Sequence, residues 1–573
     1  MSRNTEIAEI LEEFADLLDA KDVEYKPRSY RRAADNIRDF PVAIEELADD
    51  GKDAVMHIEG VGEAIASKVI EYIGSGSIEE LDELRSELPV RMDELTAVEG
   101  VGPKTVGALY EALGIETLEE LEAAAQEQRI RDVSGFGAKT EENILENIPF
   151  AKEASSRELL GHGRPVADEL IGYLEEDDAI DRVEPAGSMR RWRPTIGDID
   201  LLVSTTDALA AAEAFTQWDR VDQVIESGEN KASVRARGIR IDVRLVESDA
   251  FGSALQYFTG SRDHNVRLRN RAIDRDYKMN EYGVFTVEED ERIAGETEES
   301  MYAVLDLPLI PPELREDRGE IDAADRGDLP TLVEPDQIRG ELHAHTTWSD
   351  GNSSIEELVE AAARFGHAYL AICDHATGPG MVGGVGIEDE EILEQRETIR
   401  VVNEEADIDV LAGIEANIDA DGGISVGDAV LAELDLVVAS PHSDLDQTSD
   451  TATDRLVEAI SHPDVDIIGH PTGRMLNRRP GLDPSIEAVA NAAAEHGTAL
   501  EVNANPSRLD LSGAMVRAAI EAGARIVINT DAHSPTEFNN MRYGVHTARR
   551  GWAETEDILN TRDYEGLVEW LGT

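Results

Sequence analysis

The spacing of apolar residues divides the chain into three parts. Residues 4–150 carry apolar positions at the spacing of amphipathic helices. From 151 to 314, helical segments lead into runs in which apolar and polar residues alternate, as they do in half-buried strands. After residue 336, seven short apolar runs are separated by helical stretches, which indicates parallel βα units. The sequence therefore predicts a multidomain α/β protein with a helical amino-terminal part.

A three-fold repeat lies in the helical part. IEGVGEAIASKVIEYI (58–73) recurs as VEGVGPKTVGALYEAL (98–113) and VSGFGAKTEENILENI (133–148), each with a Gly-apolar-Gly turn before a helix. The repeat resembles the helix-hairpin-helix motif, whose glycines permit a tight turn that offers backbone amides to a phosphate. Alternatively, some of these turns only pack helices together, and the third lacks an evident second hairpin element. The predicted DNA contacts are Gly60, Gly62, Gly100, Gly102, Gly135 and Gly137.

Paired acids open the apolar run GDIDLLV in the middle part. Asp198 and Asp200 are two residues apart, so in a strand both face the same side and suit a hard divalent cation. Asp242 in RIDVRLV is a third acid that would complete a two-metal site. Upstream, GSMRR provides a turn, a hydroxyl and guanidinium groups that suit phosphate. The alternative is a surface Asp-x-Asp in an acidic chain.

Histidines concentrate in the last part, where ten of the thirteen follow residue 336. Many of them stand at the ends of the apolar runs, and the carboxyl ends of barrel strands converge on one mouth. A His and carboxylate set without Cys suits a cluster of Mn²⁺, Zn²⁺ or Fe, and adjacent metal ions point to phosphoester hydrolysis. A single such His would be structural. The predicted ligands are His343, His345, Asp350, His375, Glu415, His442, His470, Asp531 and His533.

The charge is extreme, with 121 acidic residues, 53 Lys plus Arg and a net charge of −68. With only nine Lys, this composition is typical of a high-salt cytoplasm such as that of a halophilic archaeon, where salt screens self-repulsion. Continuous apolar periodicity argues against disorder. Acidic proteins are poor candidates for nucleic-acid binding, but backbone amides and bound cations can also hold phosphates.

The single cysteine, Cys373, lies in the apolar run AYLAICDH and is expected to be a buried thiol in a reducing compartment. No secretory signal opens the chain and no apolar run reaches the length of a membrane span. We therefore expect a cytoplasmic, monomeric protein that has no membrane partner.

The order GSMRR, GDID, RIDVR, YFTGSRDHNVRLR and MNEYGVF resembles that of the family X DNA polymerases, the DNA polymerase beta group. With the repeated turns, the resemblance covers residues 4–314. It implies that Asp198, Asp200 and Asp242 are the catalytic acids, holding Mg²⁺ or Mn²⁺. It further implies that Ser188 and Arg191 bind the nucleotide triphosphate. The turn of Tyr257, Phe258 and Gly260 would lie against the sugar, and Asn265 and Arg269 would touch the nascent base pair.

The amino-terminal part resembles the lyase domain of that family. Lys68 falls at the position of the Schiff-base lysine, with Lys26 and Tyr30 at supporting positions. The chain departs from the family at Glu63 and Ala64, where a basic residue is expected, and this weakens binding of a 5′ phosphate. Alternatively, Lys68 is a phosphate contact or a solvated helix residue.

The series HAHTTWSDG, CDH, GIE, SPH, GHP and TDAH resembles the polymerase-and-histidinol-phosphatase (PHP) family, with all nine ligand positions filled. Arg474 and Arg508 are candidates to hold substrate phosphates. The resemblances imply helix-hairpin-helix domains, an α+β nucleotidyltransferase palm and thumb, and a (βα)7-like barrel. The expected boundaries are 1–88 for a lyase-like domain, 89–150 for a fingers-like domain, 151–258 for the palm, 259–314 for the thumb, 315–335 for a linker and 336–573 for the PHP domain.

Together the resemblances imply a DNA-directed DNA polymerase that fills short gaps in DNA repair, such as base excision repair. Its partners would be gapped or primer-template DNA and deoxynucleoside triphosphates. The PHP domain would act as a 3′-5′ exonuclease or phosphoesterase, with AP endonuclease or 3′-phosphatase action as further options. Two alternatives stay open. One is a PHP phosphoesterase with a non-polymerising DNA-binding half, and the other is a nucleotidyltransferase acting on RNA or a small molecule.

Overall fold

The computed structural model describes residues 3–23, 26–38, 44–49, 51–58, 60–98, 100–154, 157–379 and 385–572. These residues form two compact units, one of 1–157 with 475–480 and the other of 158–474 with 481–573. Among the described residues, none of the helices combines the length and apolar character that a membrane crossing requires.

The first unit is helical. Its core gathers apolar side chains from all of its longer helices, and Phe14 stacks on Tyr30 with ring centroids 4.6 Å apart. A 3₁₀ helix covers Ile130–Asp132. The α-helices are α1 (Arg3–Ala20), α2 (Lys26–Arg38), α3 (Ile44–Asp49), α4 (Lys52–Val55), α5 (Glu63–Ser75), α6 (Glu79–Glu87), α7 (Met92–Thr96), α8 (Pro103–Leu113), α9 (Leu118–Gln126) and α10 (Ala138–Ala154).

The second unit begins with the segment expected to be the palm, which forms a five-stranded sheet of order β2-β4-β7-β6-β5. Only the central pair β4 and β7 is parallel, and it places Asp200 opposite Asp242. β1 pairs with β3 in a separate two-stranded sheet. The elements are β1 (Glu158–Leu159), α11 (Leu160–Glu175), β2 (Arg182–Pro185), α12 (Gly187–Arg190), β3 (Thr195–Ile196), β4 (Ile199–Ser204), α13 (Ala208–Thr216), β5 (Val221–Ser227), β6 (Lys231–Ala236) and β7 (Ile239–Val246).

The thumb follows a 3₁₀ helix at Ser248–Ala250 and contains a three-stranded antiparallel sheet of order β10-β9-β8. Its apolar core is closed by α15 and α16. The elements are α14 (Phe251–Thr259), α15 (Arg262–Ile273), β8 (Tyr277–Asn280), β9 (Gly283–Thr286), β10 (Arg292–Ala294), α16 (Glu298–Ala303) and a 3₁₀ helix at Pro312–Leu314.

The segment expected as a linker, 315–335, is instead folded onto the thumb. It contains α17 (Glu320–Arg326) and begins a 3₁₀ helix at Pro335–Gln337. Ile321 is buried in the thumb core, and the buried carboxylate of Glu320 accepts from His264 Nδ1 over 2.6 Å. The segment therefore differs from a solvated linker, because Arg315, Glu316 and Glu320 are paired inside the fold while most of its other charges are exposed.

The last part of this unit is a barrel of seven parallel strands in sequence order. Ala344, at the end of β11, bridges to Ala532 beyond β17 and closes the ring. The strands are β11 (Gly340–Ala344), β12 (Tyr369–Ile372), β13 (Asp409–Asn417), β14 (Leu436–Ser440), β15 (Ile467–Ile468), β16 (Ala499–Asn503) and β17 (Arg525–Asn529). The predicted seven-stranded barrel is confirmed.

Helices surround the barrel, with one apolar core inside the strands and others between strands and helices. Cys373 belongs to the inner core and is fully buried, as expected. The helices are α18 (Ile355–Phe365), α19 (Asp389–Asn403), α20 (Asp428–Leu431), α21 (Ser449–Ile460), α22 (Ile486–His496), α23 (Gly513–Glu521), α24 (Met541–Arg550) and α25 (Tyr564–Leu571), with 3₁₀ helices at Pro535–Asn540, Thr555–Asp557 and Leu559–Thr561.

Candidate active sites

The three palm aspartates converge at one end of the central strand pair. Asp200 in β4 and Asp242 in β7 lie opposite each other in parallel register, and Asp198 immediately precedes β4. One carboxylate oxygen from each lies within 4.8 Å of the others. The fold therefore brings together the triad that the sequence singled out.

The charges of this triad are unevenly compensated. Burial, together with repulsion from Asp198 and Asp242, raises the pKa of Asp200 to about 7. Burial would also raise the pKa of Asp242, but its partners hold that pKa below its ordinary value. Arg240 Nε donates to Asp242 Oδ1 over 3.0 Å, and Lys231 Nζ lies 3.0 Å from Oδ2. Crowded carboxylates of this kind fit a hard divalent cation, which would relieve their repulsion.

Gly187 carries the turn that faces the triad. It has a φ of +57°, and a Cβ added there would lie 2.3 Å from Asp200 Oδ2, so a larger residue would be strained and would displace that carboxylate. The preceding Ala186 N–H donates to the Asp200 carbonyl over 2.8 Å. Ser188, the predicted triphosphate contact, is the next residue of this turn and is half-buried.

Arg191, the other predicted triphosphate contact, lies against the Gly260 turn. A Cβ on Gly260 would be 3.1 Å from Arg191 Nη1. The guanidinium is buried, donates from Nε to Glu316 Oε1 over 3.1 Å, and donates from Nη1 to the Thr259 carbonyl. The fold thus unites two predicted nucleotide contacts. It also reveals an acidic partner, Glu316, that lay in the expected linker.

The remaining predicted nucleotide contacts cluster at the end of α14 and the start of α15. The rings of Tyr257 and Phe258 meet edge to face with centroids 5.2 Å apart. Asn265 Nδ2 donates to the Tyr257 carbonyl over 2.7 Å, while its Oδ1 accepts from Gln256 over 2.7 Å. The Asn265 amide therefore fixes the turn. Arg269 is exposed one helical turn further on.

The three repeated turns of the helical unit share one backbone geometry. Their first glycines have φ values of +74°, +82° and +93°. In each turn the backbone N–H of the residue after this glycine donates to the carbonyl of the residue three positions earlier, over 3.1, 2.9 and 3.1 Å. At the second glycines an added Cβ would meet nothing within 4 Å, so the backbone is open to approach. The third turn, whose partner element was not evident in sequence, is preceded by the Ile130–Asp132 3₁₀ helix. The six glycines are Gly60, Gly62, Gly100, Gly102, Gly135 and Gly137.

Lys68 is an ion-paired side chain. Its Nζ donates to Glu80 Oε2 over 2.6 Å and lies 5.2 Å from the centroid of the Phe14 ring. Burial would lower its pKa, but Glu80 and Tyr30 raise it above the ordinary value. A Schiff-base lysine reacts as the neutral amine. The environment of Lys68 favours the protonated form, and its lyase role stays a prediction from the sequence.

All nine predicted barrel ligands meet at the carboxyl end of the strands. Three overlapping groups have donor atoms within 4.8 Å of one another. Glu415 joins two of these groups, His470 Nε2 lies 3.0 Å from Glu415 Oε1, and Asp531 Oδ1 lies 2.9 Å from His345 Nε2. The groups are His345, Asp350, His375 and His533; His343, His345 and Glu415; and His375, Glu415 and His442.

The donor atoms of this cluster fit metal ions. Several are buried without a hydrogen-bond partner, which is costly unless a ligand satisfies them. Burial would raise the pKa of Glu415, but the surrounding histidines hold it well below the ordinary value. A His and carboxylate set suits Zn²⁺, Mn²⁺ or Fe. The orphaned atoms are His343 Nε2, both ring nitrogens of His345, His375 Nδ1, both carboxylate oxygens of Glu415, His470 Nδ1 and Asp531 Oδ1.

Hydrogen bonds to other side chains orient two of the histidines predicted as ligands. The His343 Nδ1–H bonds to Glu501 Oε1 over 2.8 Å, which leaves Nε2 for a metal. His442 Nδ1 pairs in the same way with Asn417 Oδ1 over 2.7 Å. Sequence reasoning missed Glu501 and Asn417. Their signal was a polar residue at an otherwise apolar position of a buried strand, β16 for Glu501 and β13 for Asn417.

The two arginines proposed for phosphate binding differ. Arg474 Nε donates to the Arg508 carbonyl over 2.9 Å, and its Nη2 donates to the Leu509 carbonyl, so Arg474 supports the loop. Arg508 Nε lies 4.0 Å from Asp531 Oδ2 and its side chain is partly exposed. Arg508 is therefore the one beside the predicted metal ligands.

Comparison with known proteins matches each part of this architecture. Four protein-family models match. A helix-hairpin-helix domain matches residues 2–78, and a SAM-like helix-hairpin-helix tandem matches residues 92–148. A DNA polymerase beta thumb matches residues 254–316, and a PHP domain matches residues 341–505. The chain is 36% identical over 571 residues to the DNA polymerase/3′-5′ exonuclease PolX of Bacillus subtilis, which covers 99% of both proteins.

Two further relatives match the barrel part. A probable phosphatase of Caldanaerobacter subterraneus is 33% identical over 233 residues, which is 39% of this chain and 86% of that protein. A probable phosphatase of Shewanella loihica is 34% identical over 241 residues, 40% of this chain and 92% of that protein.

Proposed function

Because the chain belongs to the family of the DNA polymerase/3′-5′ exonuclease PolX, we propose that its two acidic clusters divide the family's two reactions between them. The protein is a DNA polymerase with an associated 3′-5′ exonuclease. We assign nucleotide addition to the palm triad and 3′ hydrolysis to the barrel cluster. The observation that carries this assignment is the convergence of two separate ligand sets, one in each matched part.

At the palm, Asp198, Asp200 and Asp242 would hold Mg²⁺ or Mn²⁺. When bound, these ions would stabilise the charge that develops as the primer 3′ hydroxyl attacks the α-phosphate of the nucleotide and pyrophosphate leaves. Asp242 stays ionised near neutral pH, because Arg240 and Lys231 hold its pKa low, and it therefore serves as a ligand. Gly187 lets the backbone approach the triad, and Ser188 follows it in the same turn.

The incoming nucleotide would lie between this turn and the thumb. In this proposal Arg191 binds the triphosphate, exchanging Glu316 for a phosphate oxygen, a charge-assisted contact. The Tyr257–Gly260 turn, held by Asn265 through the Tyr257 carbonyl, packs against the sugar. Arg269 is exposed on the same helix and would reach the nascent base pair.

The polymerase substrate would be gapped or primer-template DNA. The three glycine turns present backbone amides at helix starts, and these amides can hold phosphates without cationic side chains. In a chain of net charge −68, amide contacts avoid dependence on basic patches. We therefore place the sequence-independent DNA contacts at these turns and propose short-gap filling in repair.

At the barrel, the nine ligands would hold Mn²⁺, Zn²⁺ or Fe. When bound, such a cluster activates water and stabilises a phosphoryl transition state. Glu501 and Asn417 fix the ring orientation of His343 and His442. Arg508, beside Asp531, is placed to bind a phosphate oxygen of the terminal nucleotide. The similarity to probable phosphatases favours phosphatase action, such as removal of a 3′ phosphate, as a second use of this site.

One gel separates the two assignments. A 5′-labelled primer on a gapped template is incubated with Mn²⁺ in molar KCl, with and without deoxynucleoside triphosphates. We expect extension with nucleotides, lost in Asp198→Ala, and shortening without them, lost in His343→Ala. Each variant is the control for the other. A primer that shortens but never grows would reduce the palm half to DNA binding, and one that grows but never shortens would give the barrel another substrate.

A further inference from the structure

Three arginines surround the single carboxylate of Glu316 beside the nucleotide turn. Arg191 Nε donates to Glu316 Oε1 over 3.1 Å, and Arg193 Nη1 donates to Oε2 over 3.4 Å. Arg550, from barrel helix α24, donates to Oε1 from both Nη1 and Nη2 over 3.2 Å. A residue of the barrel thus enters a cluster whose other members belong to the palm and the thumb-side segment.

The cluster carries more positive than negative charge. Three guanidinium groups face one carboxylate, and Arg193 Nε is buried without a hydrogen-bond acceptor in the described structure. Burial would raise the pKa of Glu316, but the surrounding arginines hold it below the ordinary value, so the carboxylate is ionised. Burial lowers the pKa of Arg550 to about 10, which leaves it charged at neutral pH. An excess of buried positive charge favours a further anion.

Arg550 fixes Arg191 in two ways. It donates from Nη1 to the backbone carbonyl of Arg191, and it shares the Glu316 carboxylate with the Arg191 side chain. Arg191 in turn lies 3.1 Å from the position of a Cβ on Gly260. Both the backbone and the acidic partner of Arg191 are therefore held by one side chain of the barrel.

We propose that Arg550 is a positioning residue for nucleotide binding at the polymerase site, acting from the nuclease barrel through Arg191 and Glu316. This inference rests on the proposed contact between Arg191 and the triphosphate. When the Arg191 guanidinium exchanges Glu316 for a phosphate oxygen, Arg550 and Arg193 remain hydrogen-bonded to Glu316. The Glu316 carboxylate then stays in place when Arg191 turns towards the phosphate, and its charge remains neutralised, so it does not repel the triphosphate.

The test compares two neighbouring arginines of α24 in the full-length protein. Arg550→Ala removes the contacts to Arg191 and Glu316. Arg549→Ala removes an equally buried arginine that binds Glu313, Glu334 and the Val333 carbonyl but does not touch the cluster. Single-nucleotide gap filling is measured with dTTP opposite adenine, with exonuclease rates measured on the same preparations.

We expect Arg550→Ala to raise the KM for dTTP about tenfold, the scale of one charge-assisted hydrogen bond, with kcat and exonuclease rate within about twofold. Arg549→Ala should leave KM unchanged. Arg550→Lys keeps the charge but loses the bidentate contact, so its KM should rise about threefold. If Arg550→Ala does not fold, Arg550→Lys decides, and an unchanged KM in that variant overturns the inference. An equal rise of KM in Arg549→Ala also overturns it.

A double-mutant cycle separates this inference from the function on which it rests. If Arg550 acts through Arg191, Arg191→Ala with Arg550→Ala should raise KM no more than Arg191→Ala alone. Additive effects would show that Arg550 acts by another route. If Arg191→Ala leaves KM unchanged, the proposed triphosphate contact itself fails. If Arg191→Ala raises KM and both Arg550 variants do not, only the positioning role fails.

Discussion

The palm and barrel clusters both crowd acidic residues around one point, but they compensate their charges differently. At the palm, Asp242 is paired with Arg240 and Lys231, and Asp198 and Asp200 are partly exposed. In the barrel, Glu415 is fully buried and only histidines face it, with His470 Nε2 3.0 Å from Oε1 and His375 Nδ1 2.6 Å from Oε2. The palm uses fixed cations of the chain, whereas the barrel surrounds its acids with histidine nitrogens that are themselves unsatisfied.

This difference indicates two ways of using metal ions. A site whose charge is partly balanced and whose acids are partly exposed suits ions that exchange, as the proposed nucleotide binding would require. A buried set of unsatisfied donors is unfavourable until ions occupy it, so such ions are expected to be resident. The two sites should therefore respond separately to substitution of their ligands.

The largest effect is expected from Glu415→Gln. Glu415 belongs to two ligand groups, so the neutral amide should reduce both the metal content and the exonuclease rate. The exonuclease rate should fall by more than the roughly 10–100-fold that is typical when a hydrogen-bond partner of a metal ligand is replaced. The rate of gap filling should be unchanged. Metal analysis of the purified protein and the two rates check this. The matched variant Asp200→Asn should abolish gap filling and spare the exonuclease. Full metal content with a normal exonuclease rate in Glu415→Gln would contradict a resident cluster.

A smaller effect is expected from Glu501→Gln. Glu501 is not a predicted ligand but accepts from His343 Nδ1 and from the His470 backbone amide over 2.6 Å. Loss of its charge should weaken the orientation and basicity of His343 and lower metal affinity or exonuclease rate about 10–100-fold. The exposed Glu521→Gln, on α23, serves as the control. Wild-type metal retention in a chelator competition would show that the hydrogen bond does not tune the site.

The parts of each site that the sequence predicted have local signatures. Asp198 and Asp200 share a strand face, and the barrel ligands follow apolar runs, so a period of two and strand ends were sufficient. Glu501 and Asn417 lie in the same strands, but only the fold shows that they bond to ligand histidines. The sequence shows them as polar residues in buried strands, but it does not show that they orient histidines.

Contacts between distant segments were not predictable in this way. Glu316 and Arg550 are 234 positions apart, and no pattern in one segment refers to the other. Glu316 lies in the segment expected as a linker, because a dense run of charges with Gly and Pro is the usual mark of a solvated connection. Its carboxylate is instead neutralised by partners that only the folded chain supplies. Local composition therefore does not distinguish a solvated charge from a buried pair.

The smallest predicted effect concerns pH at the palm. Because the pKa of Asp200 is raised to about 7, the metal-free site holds a proton below that pH, and a cation must displace it. Apparent Mg²⁺ affinity should therefore rise about tenfold per pH unit up to pH about 7 and level off above it. Calorimetric titration in the Glu415→Gln background, where barrel binding is weakened, checks this. Asp200→Asn removes the proton and should flatten the profile. An affinity that does not change between about pH 6 and 7 would show that Asp200 is already ionised, and that the palm resembles the barrel, where the pKa of Glu415 is held low.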